Sequence, residues 1–156
     1  MAVSQASSKF TGGCQCGAVR YRLDAEPHDA NLCHCRMCQK AGGGPFMAFA
    51  SVPTPAFVVT RGEIALYKSS EIADRGFCRD CGTPLTYAGR GADHISVTLG
   101  SLDVPGRVAP DVQLGVEGEV AWLRRALAAP ATRSEDWLAS KRLTSAGSHQ
   151  HPDYDT

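Results

Sequence analysis

With 156 residues, 43% of them apolar and 21% charged, the chain suits one globular domain with a real core rather than a disordered segment. Sixteen basic residues balance sixteen acidic ones, which lacks the excess that phosphate contacts need and disfavours nucleic acid as a partner. No apolar run approaches the ~20 residues of a membrane helix, and the polar, Ser-rich start lacks the apolar stretch of a secretory signal, so the expected location is cytoplasmic.

Residues 1–9 read as a flexible start, 10–140 as the domain and 141–156 as a flexible tail. The tail places His149 and His151 among Ser, Gln, Pro and Asp residues, a composition that does not pack. Val19, Tyr21 and Leu23 alternate with Arg20, Arg22 and Asp24, the period of a half-buried strand. Arg36 to Ala41 suits one helical turn, stopped by Gly42-Gly43-Gly44-Pro45. Pro45 to Val52 carries Phe46, Ala48, Ala50 and Val52 on one parity. Phe57-Val58-Val59-Thr60, the turn signal Arg61-Gly62 and Ile64-Ala65-Leu66-Tyr67 predict a hairpin. Leu85 to Tyr87 and Ile95 to Leu99 predict a second pair, and Val112 to Val116 a late strand. Glu119 to Leu127 has helical spacing, and Ser134 is placed to cap a short helix through Trp137 and Leu138. The expected fold is mainly β, a small single domain of short antiparallel strands with one or two short helices, stapled by metal.

The seven cysteines form three groups: Cys14-Gln15-Cys16-Gly17, Cys33-His34-Cys35-Arg36-Met37-Cys38 and Cys78-Arg79-Asp80-Cys81-Gly82. In a reducing compartment such spacing points to metal or catalysis rather than disulfides, and an odd count fits a closed disulfide framework poorly. The first and third groups both end in Gly, which supplies the positive φ such a turn needs. Together Cys14, Cys16, Cys78 and Cys81 offer the four sulfurs of a closed structural zinc site. Cys33, Cys35 and Cys38 are left as three, the pattern of a zinc site with an open position. Three thiolates around Zn²⁺ make a soft, weak Lewis acid, better suited to holding an incoming thiolate as nucleophile than to activating water. Two other readings of this group stay open: a second structural zinc completed by His34 or a distant His, and a redox dithiol of Cys35 and Cys38. His34 itself reads as a group beside the ion or on the substrate side. His94 opens an apolar strand and reads as packed. His28 falls in a loop.

The ordered run Gly13-Cys14-Gln15-Cys16-Gly17, Cys33-His34-Cys35-x-x-Cys38 and Arg75-Gly76-Phe77-Cys78-x-x-Cys81-Gly82-Thr83-Pro84-Leu85 resembles the glutathione-dependent formaldehyde-activating (GFA-type) family. Gly43-Gly44-Pro45-Phe46, Gly100-Ser101-Leu102-Asp103 and Trp122 add to the resemblance, which spans about residues 10 to 127. It implies a mainly β fold with a structural zinc on Cys14, Cys16, Cys78 and Cys81, and a catalytic zinc on Cys33, Cys35 and Cys38. It also implies carbon–sulfur lyase chemistry: formation of S-(hydroxymethyl)glutathione from formaldehyde and glutathione.

Glutathione carries two carboxylates, so Arg36, Lys40, Arg75 and Arg79 are candidate partners by their closeness in sequence to the cysteines, with solvated surface as the plainer reading. Trp122 is a candidate pocket wall, with core packing as the plainer reading. Two other functions compete: a non-catalytic binding module of the centromere protein V type, and a thiol redox protein. The second wants a free cysteine, and every cysteine here has a metal assignment.

Overall fold

The computed structural model of the protein describes residues 10–156, so the start read as flexible, 1–9, lies outside the described residues. Ten short strands form two sheets. Strands β1 (Phe10–Gly13), β2 (Arg20–Leu23) and β5 (Phe57–Arg61) make a three-stranded antiparallel sheet in the order β1-β2-β5. The remaining strands are β3 (His28–Cys33), β4 (Met47–Pro53), β6 (Ala65–Lys68), β7 (Ala73–Phe77), β8 (Pro84–Gly89), β9 (His94–Thr98) and β10 (Val112–Leu114). They form a seven-stranded sheet in the order β10-β3-β4-β9-β8-β7-β6. Its pairs are antiparallel except β10 on β3, which is parallel. Three short helices complete the fold: α1 (Arg36–Gly42), α2 (Leu123–Leu127) and α3 (Ser134–Ser140). Among the described residues no helix is long and apolar enough to cross a membrane.

The main core draws on both sheets. Tyr21 and Leu23 from the small sheet meet Ala50, Val52, Leu85 and Val97 from the large one. Burying one such aliphatic side chain stabilises the fold by about 1.5–3 kcal/mol, so this seam supplies much of the apolar driving force. The Tyr21 hydroxyl remains satisfied in that seam through Ser101 Oγ at 2.7 Å. Arg20, on the parity expected to face water, is buried instead. Its guanidinium meets the Asp103 carboxylate at 2.8 and 2.5 Å, so the end of Gly100-Ser101-Leu102-Asp103 is an anchor for β2.

The predicted hairpin of Phe57–Thr60 and Ile64–Tyr67 does not form. β5 pairs with β2, and β6 pairs with β7 in the other sheet. Gly62 is the corner at which the chain changes sheets, with φ +70°. A Cβ there would lie 2.1 Å from the Ala18 carbonyl oxygen, so the turn admits no side chain. The predicted pairing of residues 85–87 with 95–99 is present, through Thr86↔Val97 and Tyr87↔Ser96.

Other departures are local. The helix expected over Glu119–Leu127 is confined to α2, and Trp122 before it is 50% exposed, in neither core nor pocket. Ser134 is the first residue of α3 rather than its cap. His94 is half exposed beside Asp93, and His28 begins β3 beside Asp29. The C-terminal tail packs: the His151 amide donates to the Gln15 carbonyl at 2.7 Å, and its ring covers Gly17.

Candidate metal centres

The first cluster joins two Gly-ended turns. Gly17 has φ +79° and Gly82 φ +76°, which lets the Gly17 amide return to the Cys14 carbonyl and the Gly82 amide to the Cys78 carbonyl. The Val19 amide donates to Cys14 Sγ at 3.2 Å. Thr83 links the turns: its hydroxyl accepts from the Gln15 amide and contacts Cys81 Sγ at 3.1 Å. The sulfurs of Cys14, Cys16, Cys78 and Cys81 all lie within 4.8 Å of one another. Two separations are 3.5 and 3.9 Å. Tetrahedral zinc with bonds of about 2.3 Å places its sulfurs about 3.8 Å apart, so the set fits such an ion without rearrangement.

Crowding spreads these thiols' acidities. The Ala18 amide favours the Cys16 thiolate, but the neighbouring Cys14 and the other sulfurs push its pKa up to about 12. Burial opposes ionisation of Cys81, yet the Thr83 hydroxyl and amide and Cys16 bring it down to about 6. A bound cation would hold four such sulfurs ionised together.

The second cluster sits on the other face of the large sheet. Cross-strand partners in an antiparallel sheet share a face. The pairs Cys33↔Met47, Asn31↔Phe49, Ser51↔Ser96, Tyr87↔Ser96 and Arg75↔Tyr87 therefore line one surface from β3 to β7. Helix α1 covers one end of it. Cys35 is the N-cap of α1, its Sγ accepting from the Cys38 amide, and Gly43 closes the helix with φ +67°. The cap and the first turn thus bring Cys35 and Cys38 back to Cys33, and the three sulfurs lie within 4.8 Å of one another. They fit three corners of a metal site.

His34 does not join them. It is 1% exposed, its Nε2 bonds Gln113 Oε1 at 3.0 Å and its ring packs on Phe46. The Gln39 side-chain amide donates to the carbonyls of His34 and Gly118, holding the backbone beside the cysteines.

Of the four cations weighed, Arg36, Lys40 and Arg79 are exposed and Arg75 alone reaches the cluster. Arg75 is 8% exposed. Its Nη2 donates to Cys38 Sγ at 3.3 Å and its Nε to Ser69 Oγ at 2.9 Å, and the guanidinium lies over the Tyr87 ring. Burial pushes the Cys38 thiol up; Arg75 opposes this, but Cys33 and Cys35 add to it, to about 12. For Cys35, burial is outweighed by the Cys38 amide and the neighbouring thiols, and its pKa is lowered.

The three sulfurs open onto a cavity of about 200 Å³ walled by Met37, Phe49, Tyr87 and Leu114. Sequence reasoning named none of these four as site residues. Phe49 had a usable signal, since it lies on the parity opposite core-facing Ala50 and Val52 in a strand buried on both faces; Tyr87 shares the parity of core-facing Leu85, and the irregular β7–β8 register turns it to the other face.

Fold and clusters define a small two-sheet β protein with two cysteine sites that can each hold a metal ion. The sequence profile described as glutathione-dependent formaldehyde-activating enzyme matches residues 9–117, and the chain belongs to this GFA family. An uncharacterised lyase of Schizosaccharomyces pombe is 35% identical over 80 residues, which is 51% of this chain and 58% of that protein. A Halomonas elongata protein, provisionally named a glutathione-dependent formaldehyde-activating enzyme, is 35% identical over 82 residues, 47% of this chain and 52% of that protein. The matches thus span little more than half the length of these relatives. A Rhodobacter sphaeroides crystal structure superposes with a TM-score of 0.54 at 26% identity, over 66% of this chain and 98% of that one.

Proposed function

We propose that this chain is a zinc-dependent carbon–sulfur lyase of the GFA type that carries two zinc ions. Cys14, Cys16, Cys78 and Cys81 hold the structural ion, and Cys33, Cys35 and Cys38 the catalytic one. Its substrates are a small thiol such as glutathione and a small aldehyde. The observation that carries this reading is the convergence of three sulfurs on a cavity wall with no fourth protein ligand among the described residues. Family membership supports the class of chemistry.

Zinc bound by three thiolates supplies a soft centre that lowers a thiol's pKa and keeps the thiolate nucleophilic. The chain's own residues do the rest. Arg75 fixes Cys38 Sγ against the sheet. Ser70, Ser96 and Asn31 line the cavity with groups able to donate a hydrogen bond to a carbonyl oxygen. Phe49 and Tyr87 form an apolar inner wall, and Met37 and Leu114 flank the mouth. In the reaction a C–S bond forms between thiol sulfur and aldehyde carbon. The carbonyl π pair moves to oxygen, which ends with the proton that the thiol loses; the reverse is the lyase direction. No oxidant is involved. The thiolates require a reducing setting, which suits the cytoplasm.

Zinc analysis combined with exchange NMR of glutathione and formaldehyde tests the reading. The wild type is expected to hold two ions and accelerate adduct formation. Cys35→Ser should hold one and lose the acceleration. Acceleration that survives without the second ion would sink the mechanism, and a salt-dependent shift of duplex DNA would favour a binding module instead.

A further inference from the structure

The cavity beside the three cysteines is larger and more apolar than formaldehyde requires. Phe49 and Tyr87 form its inner wall, their ring centroids 6.2 Å apart, and Met37 and Leu114 stand at its mouth, about half exposed. Among the described residues Arg75 is the one charged side chain lining it, and it donates to Ser69, Met47 and Cys38. No carboxylate of the described residues lines the space. An apolar cavity of about 150 Å³ holds a benzene molecule, so about 200 Å³ has room for one ring or short alkyl chain in addition to the sulfur end of the thiol at the cysteine edge. Formaldehyde, with two heavy atoms, would leave most of this apolar wall against water.

We infer that the preferred carbonyl substrate is an aldehyde with an uncharged aliphatic or aromatic body, seated between Phe49, Tyr87 and Leu114, rather than formaldehyde. This rests on the thiol–aldehyde reading proposed above and narrows it. The bond changes are the same: the thiol sulfur joins the aldehyde carbon, and the thiol proton ends on the aldehyde oxygen. Specificity comes from the body of the aldehyde, which replaces water along the wall. Each buried methylene contributes about 0.8 kcal/mol, or about a fourfold change in kcat/KM.

The test uses the zinc-loaded full chain, glutathione, and aldehydes from formaldehyde to hexanal together with benzaldehyde. Each rate is divided by that of the uncatalysed addition. The ratio is expected to climb with chain length until the cavity fills, with benzaldehyde at least about tenfold above formaldehyde. Binding of unreactive benzyl alcohol, followed by NMR shifts of the Met37 methyl and Tyr87 ring, gives a readout independent of turnover, with methanol as control. Leu114→Ser, at a half-exposed position, should flatten the dependence on chain length.

Formaldehyde handled best by the wild type, or benzyl alcohol bound no better than methanol, overturns the inference and leaves the lyase reading standing. No acceleration with any aldehyde overturns that reading, and the aldehyde assignment with it.

Discussion

Arg75 Nη2 donates to Cys38 Sγ at 3.3 Å, joining β7 to α1 across 37 residues of sequence. The same guanidinium bonds Ser69 and lies over Tyr87, so three contacts fix its plane. A group that orients a metal-binding side chain in this way is worth about 10–100-fold in metal affinity. Arg75→Gln should weaken zinc at the three-cysteine site by that factor and leave the four-cysteine site unchanged. Chelator competition that resolves the two zinc steps checks this. Arg75→Lys should restore little, because an ammonium cannot keep the ring contact and both hydrogen bonds together. Unaltered affinity in Arg75→Gln would make the contact incidental.

The two clusters should differ sharply in their effect on stability. Cys81 closes a site that ties the first turn to residues 78–83, across more than sixty positions. Metal bound there would be coupled to folding, so Cys81→Ser should cost more than about 4 kcal/mol or leave the chain unfolded. Cys35 differs because its side chain is also the N-cap of α1. Serine caps a helix well, so Cys35→Ser should lose little beyond the mass-action stabilisation of the second ion, about 2.7 kcal/mol at a hundredfold excess of zinc over its Kd. Zinc-buffered thermal unfolding of both variants compares them; equal losses would contradict the division of roles.

Much of the cysteine clustering was legible because it is local. Cysteine spacing and the glycines after Cys16 and Cys81 state the turns outright. Long-range pairing was less so. Strand β7, Ala-Asp-Arg-Gly-Phe, has no β-branched run, and it is a strand because β6 and β8 flank it. β4 is buried on both faces, so reading one parity as core hid Phe49 on the other. Arg75 could not be told from Arg36, Lys40 and Arg79, because closeness in sequence does not show which cation crosses the sheet. The tail's composition predicted no packing, yet its backbone amide at His151 and its ring find partners on the first turn.

Gly62 offers a test of the corner that replaced the hairpin. Its φ of +70° and the 2.1 Å approach of the Ala18 carbonyl to a would-be Cβ act together. Gly62→Ala must bear both the left-handed conformation and a backbone clash, so a loss of about 2–3 kcal/mol is expected. Urea denaturation should show a lower midpoint with the same slope. Had β5 and β6 formed the hairpin, a non-glycine residue at this turn position would have cost far less.

The Arg20–Asp103 pair predicts an acid-sensitive contribution to stability. Arg20 and Asp103 side chains are 3% and 7% exposed. Burial opposes the Asp103 charge, but hydrogen bonds from Arg20 and Thr11 outweigh it and hold the carboxyl below its ordinary value. A lowered folded-state pKa means the stabilisation is complete above the unfolded value, about 4, and is lost as pH falls through the lower folded value. Asp103→Asn leaves the buried Arg20 charge with the exposed Asp155 carboxylate at 3.9 Å and the Tyr154 carbonyl at 3.2 Å. It should cost about 3 kcal/mol at neutral pH. The gap between wild type and variant should hold from neutral pH to about pH 5 and shrink below about pH 4. Any metal held by thiolates would be lost from both proteins on that acid limb, so the difference between their denaturation curves isolates Asp103. A gap that stays constant down to pH 2 would show that Asp103 acts through shape rather than charge.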